Sequence, residues 1–359
     1  MKKRMVRVLT SAALTAAMVM SMGMTAFAAD PITSIDLVKD VTADGNTYAP
    51  NTEFKFTVDE GAGGTFIAGS NGSTATALPG EEGGLGFKEG FTGIKFDPTV
   101  DGIISDEGLS HTGTGALVID SSVFDSTGIY HYTVDETLET YDGITYDDKT
   151  MNVYLYVYSD DSGDYYVGNV VINREDEESK SDELKFINKY GTDENGDTVH
   201  DITIRKEVTG SLGEKMKDFT FSIQIDGENG EKYKAVKTDK ETEEETITLT
   251  SGEPATVTLQ DAETIQIFGI SENDSYKVEE TGKNDGYTVY YTIGNARPIE
   301  GDLITNGKVD HDGLEIVFTN HKDAVTPTGI VMTFAPYIAL IALAGVFAVT
   351  FLRKRREEF

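Results

Sequence analysis

Ile35-Asp36-Leu37-Val38-Lys39-Asp40-Val41 returns later in the chain as Ile202-Thr203-Ile204-Arg205-Lys206-Glu207-Val208. Both stretches place apolar residues at every second position, the pattern of a strand with one buried face. Side chains two apart share that face, so Lys39 lines up with Ile35, Leu37 and Val41, and Lys206 with Ile202, Ile204 and Val208. Each phrase thus carries a lysine in the row that should face a core.

The repetition runs on in the same order. An acidic-Phe-x-Phe strand follows each phrase, as Glu53-Phe54-Lys55-Phe56 and as Asp218-Phe219-Thr220-Phe221. Tyr132-Thr133-Val134-Asp135-Glu136-Thr137 is echoed by Tyr276-Lys277-Val278-Glu279-Glu280-Thr281, and Phe186-Ile187-Asn188 by Phe318-Thr319-Asn320. Four echoes in one order mean two copies of a single domain. Between and around them lie short β-prone runs such as Tyr154-Leu155-Tyr156-Val157-Tyr158, divided by Gly, Asn and Asp turn signals. No amphipathic helix stands out between Ala29 and Thr328. The expected fold is all-β: two tandem immunoglobulin-like sandwiches over 29–190 and 201–321, with a polar, Gly-containing junction over 191–200. The Gly-, Ser- and Thr-rich stretch from Gly61 to Gly90 reads as a long loop or loosely paired hairpins, without the spacing of a phosphate loop.

The same parity aligns Glu136 with Tyr132 and Val134, and Glu280 with Tyr276 and Val278. Asn188 falls in line with Leu184 and Phe186, and Asn320 with Ile316 and Phe318. Asp135 and Glu279, the neighbouring acids, point outward on this count. Each domain therefore offers one inward lysine, one glutamate and one asparagine. Unpaired burial of such groups is costly, and a shifted pKa that neutralises them is the usual escape. A neutral lysine is an amine nucleophile. A protonated glutamate can hydrogen-bond the asparagine amide and polarise its carbonyl. Attack on that carbonyl carbon with loss of ammonia leaves a Lys–Asn isopeptide bond, and proximity in a folded core supplies the effective concentration. The reaction turns over once and needs no cofactor.

Both ends of the chain carry export signals. Lys2, Lys3, Arg4 and Arg7 precede an apolar stretch that closes on Ala26-Phe27-Ala28, which reads as a signal peptide over 1–28. At the other end, the 322–329 region holds Val325-Thr326-Pro327-Thr328-Gly329. An uncharged apolar run over 330–352 follows, long enough to span a bilayer, and then a basic tail over 353–359. The basic tail should stay cytoplasmic, placing everything upstream outside the cell. A formal net charge of −32 argues against nucleic acid or anionic lipid as partner. There are no cysteines, so no disulfide reinforces the exported chain. The five histidines show no zinc spacing, Asp193-Glu194-Asn195-Gly196-Asp197 lacks the glycine placement of a calcium loop, and no nucleophile elbow or triad signature is visible. No metal or cofactor is expected.

On these residues the chain closely resembles the two-domain backbone pilins of Gram-positive bacteria, the streptococcal T-antigen type built from collagen-adhesin B-like domains. The resemblance spans the exported segment from the Lys39 strand to the Pro-Thr-Gly. It implies isopeptide crosslinks Lys39–Asn188, with Glu136 as catalyst, and Lys206–Asn320, with Glu280. Val325 to Gly329 resembles a sorting signal cut by a sortase between Thr328 and Gly329. It departs from the common Leu-Pro-x-Thr-Gly form, which suggests a dedicated pilin sortase. The resemblance also implies an acceptor lysine on the next subunit shortly before the last strand of the first domain. Lys180 in Glu178-Ser179-Lys180-Ser181 fits that place, with Lys185 and Lys189 as competitors. The implied partners are identical subunits in a covalent head-to-tail polymer, the sortase, peptidoglycan, and minor pilins or a host ligand. A monomeric wall-anchored adhesin or a tip or base pilin is the alternative, and an extracellular enzyme a distant third.

Overall fold

In the computed structural model the described residues are 30–43, 45–68, 73–104, 110–175, 180–192, 196–241, 243–282, 285–309, 311, 313–324, 340–344 and 346. The signal peptide over 1–28, the sorting residues Val325 to Gly329 and the basic tail over 353–359 lie outside them, as does most of the 330–352 run. Residues 340–344 and 346 are helical, and among the described residues no helix is long and apolar enough to cross a membrane.

Two β-sandwiches follow one another. In the first, one sheet runs Ile144–Thr145, Leu184–Tyr190, Ser34–Thr42, Ser110–Ile119, Leu85–Phe87. Its partner sheet runs Lys180–Ser181, Tyr165–Arg174, Met151–Ser159, Gly128–Glu136, Thr74–Pro79, Gly64–Ile67. Strand Phe56–Glu60 shares the free edge of Gly128–Glu136, pairing with its second half while Leu78 and Pro79 pair with its first. The second sandwich sets a seven-stranded sheet (Glu244–Thr250, Lys232–Thr238, Thr264–Ser271, Val199–Thr209, Leu314–His321, Thr288–Ile293, Ile299–Glu300) against a four-stranded one (Ala255–Leu259, Phe219–Asp226, Ser275–Thr281, Leu303–Gly307).

The alternation read in the sequence becomes burial. Leu37, Val41, Leu117, Val134, Leu155 and Phe186 fill the first core, and Ile204, Phe221, Ile267, Val278, Ile316 and Phe318 the second. Each such side chain, fully buried, contributes about 1.5–3 kcal/mol. Of the two readings of the Gly61–Gly90 stretch, the paired one holds over part of it. Gly64–Ile67 and Thr74–Pro79 form a hairpin whose Phe66 and Ala77 pack with Tyr154 and Val171 in a small outer core, and Leu85–Phe87 joins the first sheet.

In each sandwich the first and last strands lie side by side and parallel, Ser34–Thr42 with Leu184–Tyr190 and Val199–Thr209 with Leu314–His321. The sandwiches also bond directly to each other. Asn51 Nδ2 donates to the Asn229 carbonyl, Lys234 Nζ to Asn46 Oδ1, Asn273 Nδ2 to Asp142 Oδ1, and the Tyr190 hydroxyl to Glu231.

Two buried lysine–glutamate–asparagine centres

The register of the strands brings the three inward polar residues of each sandwich together. Lys39 pairs with Phe186 and Val41 with Asn188; Lys206 pairs with Phe318 and Val208 with Asn320. Across the other sheet Phe56 stands opposite Glu136, and Phe221 opposite Glu280. The two constellations are thus equivalent strand for strand. Lys39, Asn188, Lys206 and Asn320 are fully buried, with Glu136 and Glu280 nearly so.

In the first centre Glu136 is a bridge. Lys39 Nζ donates to its Oε2 at 2.8 Å, and Asn188 Nδ2 donates to its Oε1 at 2.7 Å. The ammonium also lies 4.9 Å from the centre of the Phe54 ring. Burial pushes the Lys39 pKa down to about 8 against the pull of the Glu136 charge. Burial likewise raises Glu136 despite Lys39 beside it. Both shifts favour moving one proton along a single hydrogen bond, from nitrogen to carboxylate, which leaves a neutral amine and a neutral acid.

Asn188 Oδ1 meets a different partner, the backbone N–H of Asp147, at 2.8 Å. An N–H can only donate, so this bond fixes which way the carboxamide faces. The bridging Glu136 therefore does not meet the carbonyl oxygen, as reading the sequence suggested. It stands between the amine and the amide nitrogen, where it can relay the amine's proton to the departing ammonia. Asp147 is itself pinned: Arg174 reaches both carboxylate oxygens at 2.8 Å, and the Ile187 N–H donates at 3.0 Å. Burial alone would raise the Asp147 pKa, but Arg174 and the Ile187 N–H outweigh it and hold the carboxyl below its ordinary value.

The second centre repeats the bridge with one difference. Asn320 Nδ2 donates to Glu280 Oε1 at 2.5 Å, and Lys206 Nζ lies 3.2 Å from Glu280 Oε2 and 4.4 Å from the centre of the Phe219 ring. Lys206 Nζ directs its hydrogen bond to the Phe318 carbonyl at 3.3 Å, so Glu280 Oε2 has an ion-pair contact without a hydrogen bond. Burial again pushes the lysine down to about 8. Among the described residues Asn320 Oδ1 has no hydrogen-bond partner.

The neighbouring acids are occupied elsewhere. Asp135 accepts from the Thr150 hydroxyl, and Glu279 lies 3.9 Å from Lys277 at the surface. Lys180 is exposed on the two-residue edge strand that pairs with Ile172 and Asn173. Lys185 forms ion pairs with Asp40 and Glu183, and Lys189 is exposed. No group of metal-ligating side chains gathers among the described residues. Sequence reasoning missed Asp147 and Arg174; the only signal was the Tyr146-Asp147-Asp148-Lys149 turn, which does not announce a buried acid.

Comparison with known proteins finds relatives over both sandwiches. Residues 35–191 match the family model of the Spy0128-like isopeptide containing domain, and residues 200–322 match a domain family of unknown function. A pilin of Streptococcus pyogenes serotype M1 is 26% identical over 269 residues, covering 70% of this chain and 74% of that protein. The pilus tip adhesin Cpa of Streptococcus pyogenes is 34% identical over 131 residues, only 18% of its own length. The crystal structure of the major pilin from Streptococcus pyogenes superposes with a TM-score of 0.57 at 20% identity, covering 81% of this chain and 99% of that one. The T-13 major pilin of the same organism gives 0.53 at 24% identity, over 82% and 98%. Across both sandwiches the chain is thus similar to the pilins of Streptococcus pyogenes, and its first sandwich matches the Spy0128-like isopeptide containing domain.

Proposed function

We propose that the chain is the repeating subunit of a cell-surface pilus shaft, joined by a pilin sortase from Thr328 to Lys180 of the next subunit and finally tied to peptidoglycan. Within each subunit Lys39 and Asn188, and Lys206 and Asn320, close isopeptide bonds with Glu136 and Glu280 as proton relays. The neutral lysine amine attacks the asparagine Cγ. The new C–N bond forms, the amine proton passes through the glutamate to Nδ2, and ammonia leaves. The chain is otherwise a structural protein.

One observation carries the polymer reading. The last strand delivers the chain to Lys322 beside Thr209, at the end of the second sandwich away from the first. Strand Val199–Thr209 spans about 33 Å at 3.3 Å per residue. From Ala324 to Thr328 the chain reaches about 14 Å at most. Thr328 thus cannot return to the first sandwich of its own chain, and a bond to Lys180 must join two subunits. Repeated head-to-tail joining gives an open fibre. The adhesin reading draws only on the tip-adhesin relative, which this chain matches over a single domain's length.

The test is expression in a host carrying the pilin sortase, with wall extracts run on denaturing gels. A ladder of covalent oligomers is expected, lost in Lys180→Ala and kept in Lys185→Ala and Lys189→Ala. A ladder that survives Lys180→Ala moves the acceptor elsewhere, and monomer alone favours the adhesin.

A further inference from the structure

The two centres share their lysine, glutamate and asparagine but not the surroundings of the asparagine oxygen. We propose that the Asp147 backbone N–H, positioned by Arg174, is an oxyanion donor for the first centre. On that basis the first crosslink closes faster than the second. The inference rests on the bond-forming reading above and adds to it a residue that acts on only one of the two reactions.

The difference arises from strand length. Beside Leu184–Tyr190 the neighbouring strand is only Ile144–Thr145, paired with Tyr190 and Lys189. It stops one step before Asn188. The chain then turns inward, and the Asp147 N–H, freed from the ladder, points at Asn188 Oδ1. Its carboxylate takes over the ladder's job by accepting the Ile187 N–H. Arg174, at the end of the adjacent-sheet strand, clamps that carboxylate from the other side with both terminal nitrogens. In the second sandwich Thr288–Ile293 runs past the asparagine in unbroken register, Val289 opposite Asn320, and its backbone is committed to the sheet. Asn320 Oδ1 is left without a partner.

Attack of the Lys39 amine on Cγ converts the carbonyl oxygen into an oxyanion while the C–N bond forms. Charge develops on Oδ1, the atom already facing the Asp147 N–H. A preorganised donor at such a position accelerates acyl transfer by about 10²–10³-fold. Collapse of the intermediate restores the carbonyl and expels Nδ2 as ammonia, with its third proton supplied through Glu136. Asp147 gives up no proton, and of the reacting atoms its N–H meets Oδ1; Arg174 is a positioning residue.

The test is cell-free synthesis of the full chain, quenched by acid denaturation at intervals. Peptide mapping by mass spectrometry then follows the Lys39–Asn188 and Lys206–Asn320 crosslinks separately. The first is expected to close at least tenfold faster in the parent. Arg174→Met should slow it about tenfold while leaving the second, an internal reference in the same molecule, unchanged; Arg174→Lys should restore part of the rate. A pH–rate profile separates positioning from loosening. Loss of a positioned donor lowers the plateau; the midpoints follow burial of Lys39 and Glu136, their mutual contact and the Asp147 charge, which Arg174→Met leaves uncompensated and Arg174→Lys does not. Equal closure rates in the parent, or an Arg174→Met plateau as high as the parent's, would overturn the inference. Absence of both crosslinks at all times would instead remove the reading on which it rests.

Discussion

Asn188 and Glu136 are joined by a 2.7 Å hydrogen bond from amide nitrogen to carboxylate, at the meeting of the two sheets of the first sandwich and out of reach of water. Such a contact leaves the leaving group of the proposed reaction already in the hand of its proton donor. The intact mass of the denatured protein should lie two ammonia below its sequence. Glu136→Ala and Glu280→Ala should each restore one, and a parent mass equal to the sequence would exclude bond formation.

Glu136→Ala should also cost more than its missing crosslink. It leaves Lys39 fully buried without its carboxylate, and breaking a buried pair from one side destabilises by roughly 3–5 kcal/mol. Lys39→Met with Glu136→Gln removes the charges and keeps an acceptor for Asn188. Neither variant can form the bond, so urea denaturation compares the unpaired buried lysine with a neutral pair at equal crosslinking. The double variant should be the more stable, by about 1–4 kcal/mol.

A second pair of buried acids sets a pH dependence at the joint between the sandwiches. The Tyr233 hydroxyl lies 2.8 Å from Glu231 Oε2 and 3.0 Å from Asp274 Oδ2, and Tyr190 reaches Glu231 from the first sandwich. The two carboxylates share the Tyr233 hydroxyl, and burial together with their mutual repulsion favours keeping a proton on one of them. Burial, with the Asp274 charge added, pushes Glu231 up to about 8, and burial pushes Asp274 up to about 7 against the backbone N–H of Ser271. Asp142 presses in the same direction on Asp274, and Lys308 opposes it. Between the ordinary carboxylate range and pH 8 the folded state binds more protons than the unfolded chain, so stability falls as pH rises through this window. One pKa unit corresponds to about 1.4 kcal/mol. Calorimetry should find Glu231→Gln more stable than the parent at pH 9 and without that advantage at pH 5; parallel behaviour at both would contradict this account.

Gly113 stands directly opposite Lys39 in the sheet. A Cβ there would run into the Ile94 side chain, which is buried beneath it. Gly113→Ala should destabilise the first sandwich by about 1–3 kcal/mol through overpacking. Loss of the Lys39–Asn188 crosslink yield, with the Lys206–Asn320 crosslink intact, should accompany it in peptide maps.

Much of this was legible in the chain because a strand writes its two faces with period two. That rule alone put Lys39, Glu136 and Asn188 in apolar rows, and repetition did the same for Lys206, Glu280 and Asn320. Asp147 escaped because it acts through a backbone group whose direction depends on where the Ile144–Thr145 strand stops. Glu231 and Asp274 look like surface acids in sequence; in the fold both are buried against Tyr233, and Tyr190 reaches Glu231 from the first sandwich. Between a loop and loosely paired hairpins over Gly61–Gly90 the glycines and serines did not decide; the pairing of Gly64–Ile67 with Thr74–Pro79 is backed by Phe66 stacking on Tyr154, far away in sequence.

The parallel seating of first and last strands decides how the second sandwich meets tension. A pull arriving from the first sandwich grips Val199–Thr209 at its start, while the pull of the next subunit grips Leu314–His321 at its end. The two strands are then dragged past one another in shear, and the hydrogen bonds from Ile202–Leu314 to Thr209–His321 bear the load together instead of unzipping singly. A bond from Lys206 to Asn320 would turn that shear seam into a covalent strut, so that force crosses from strand to strand and the folded chain between them is never stretched.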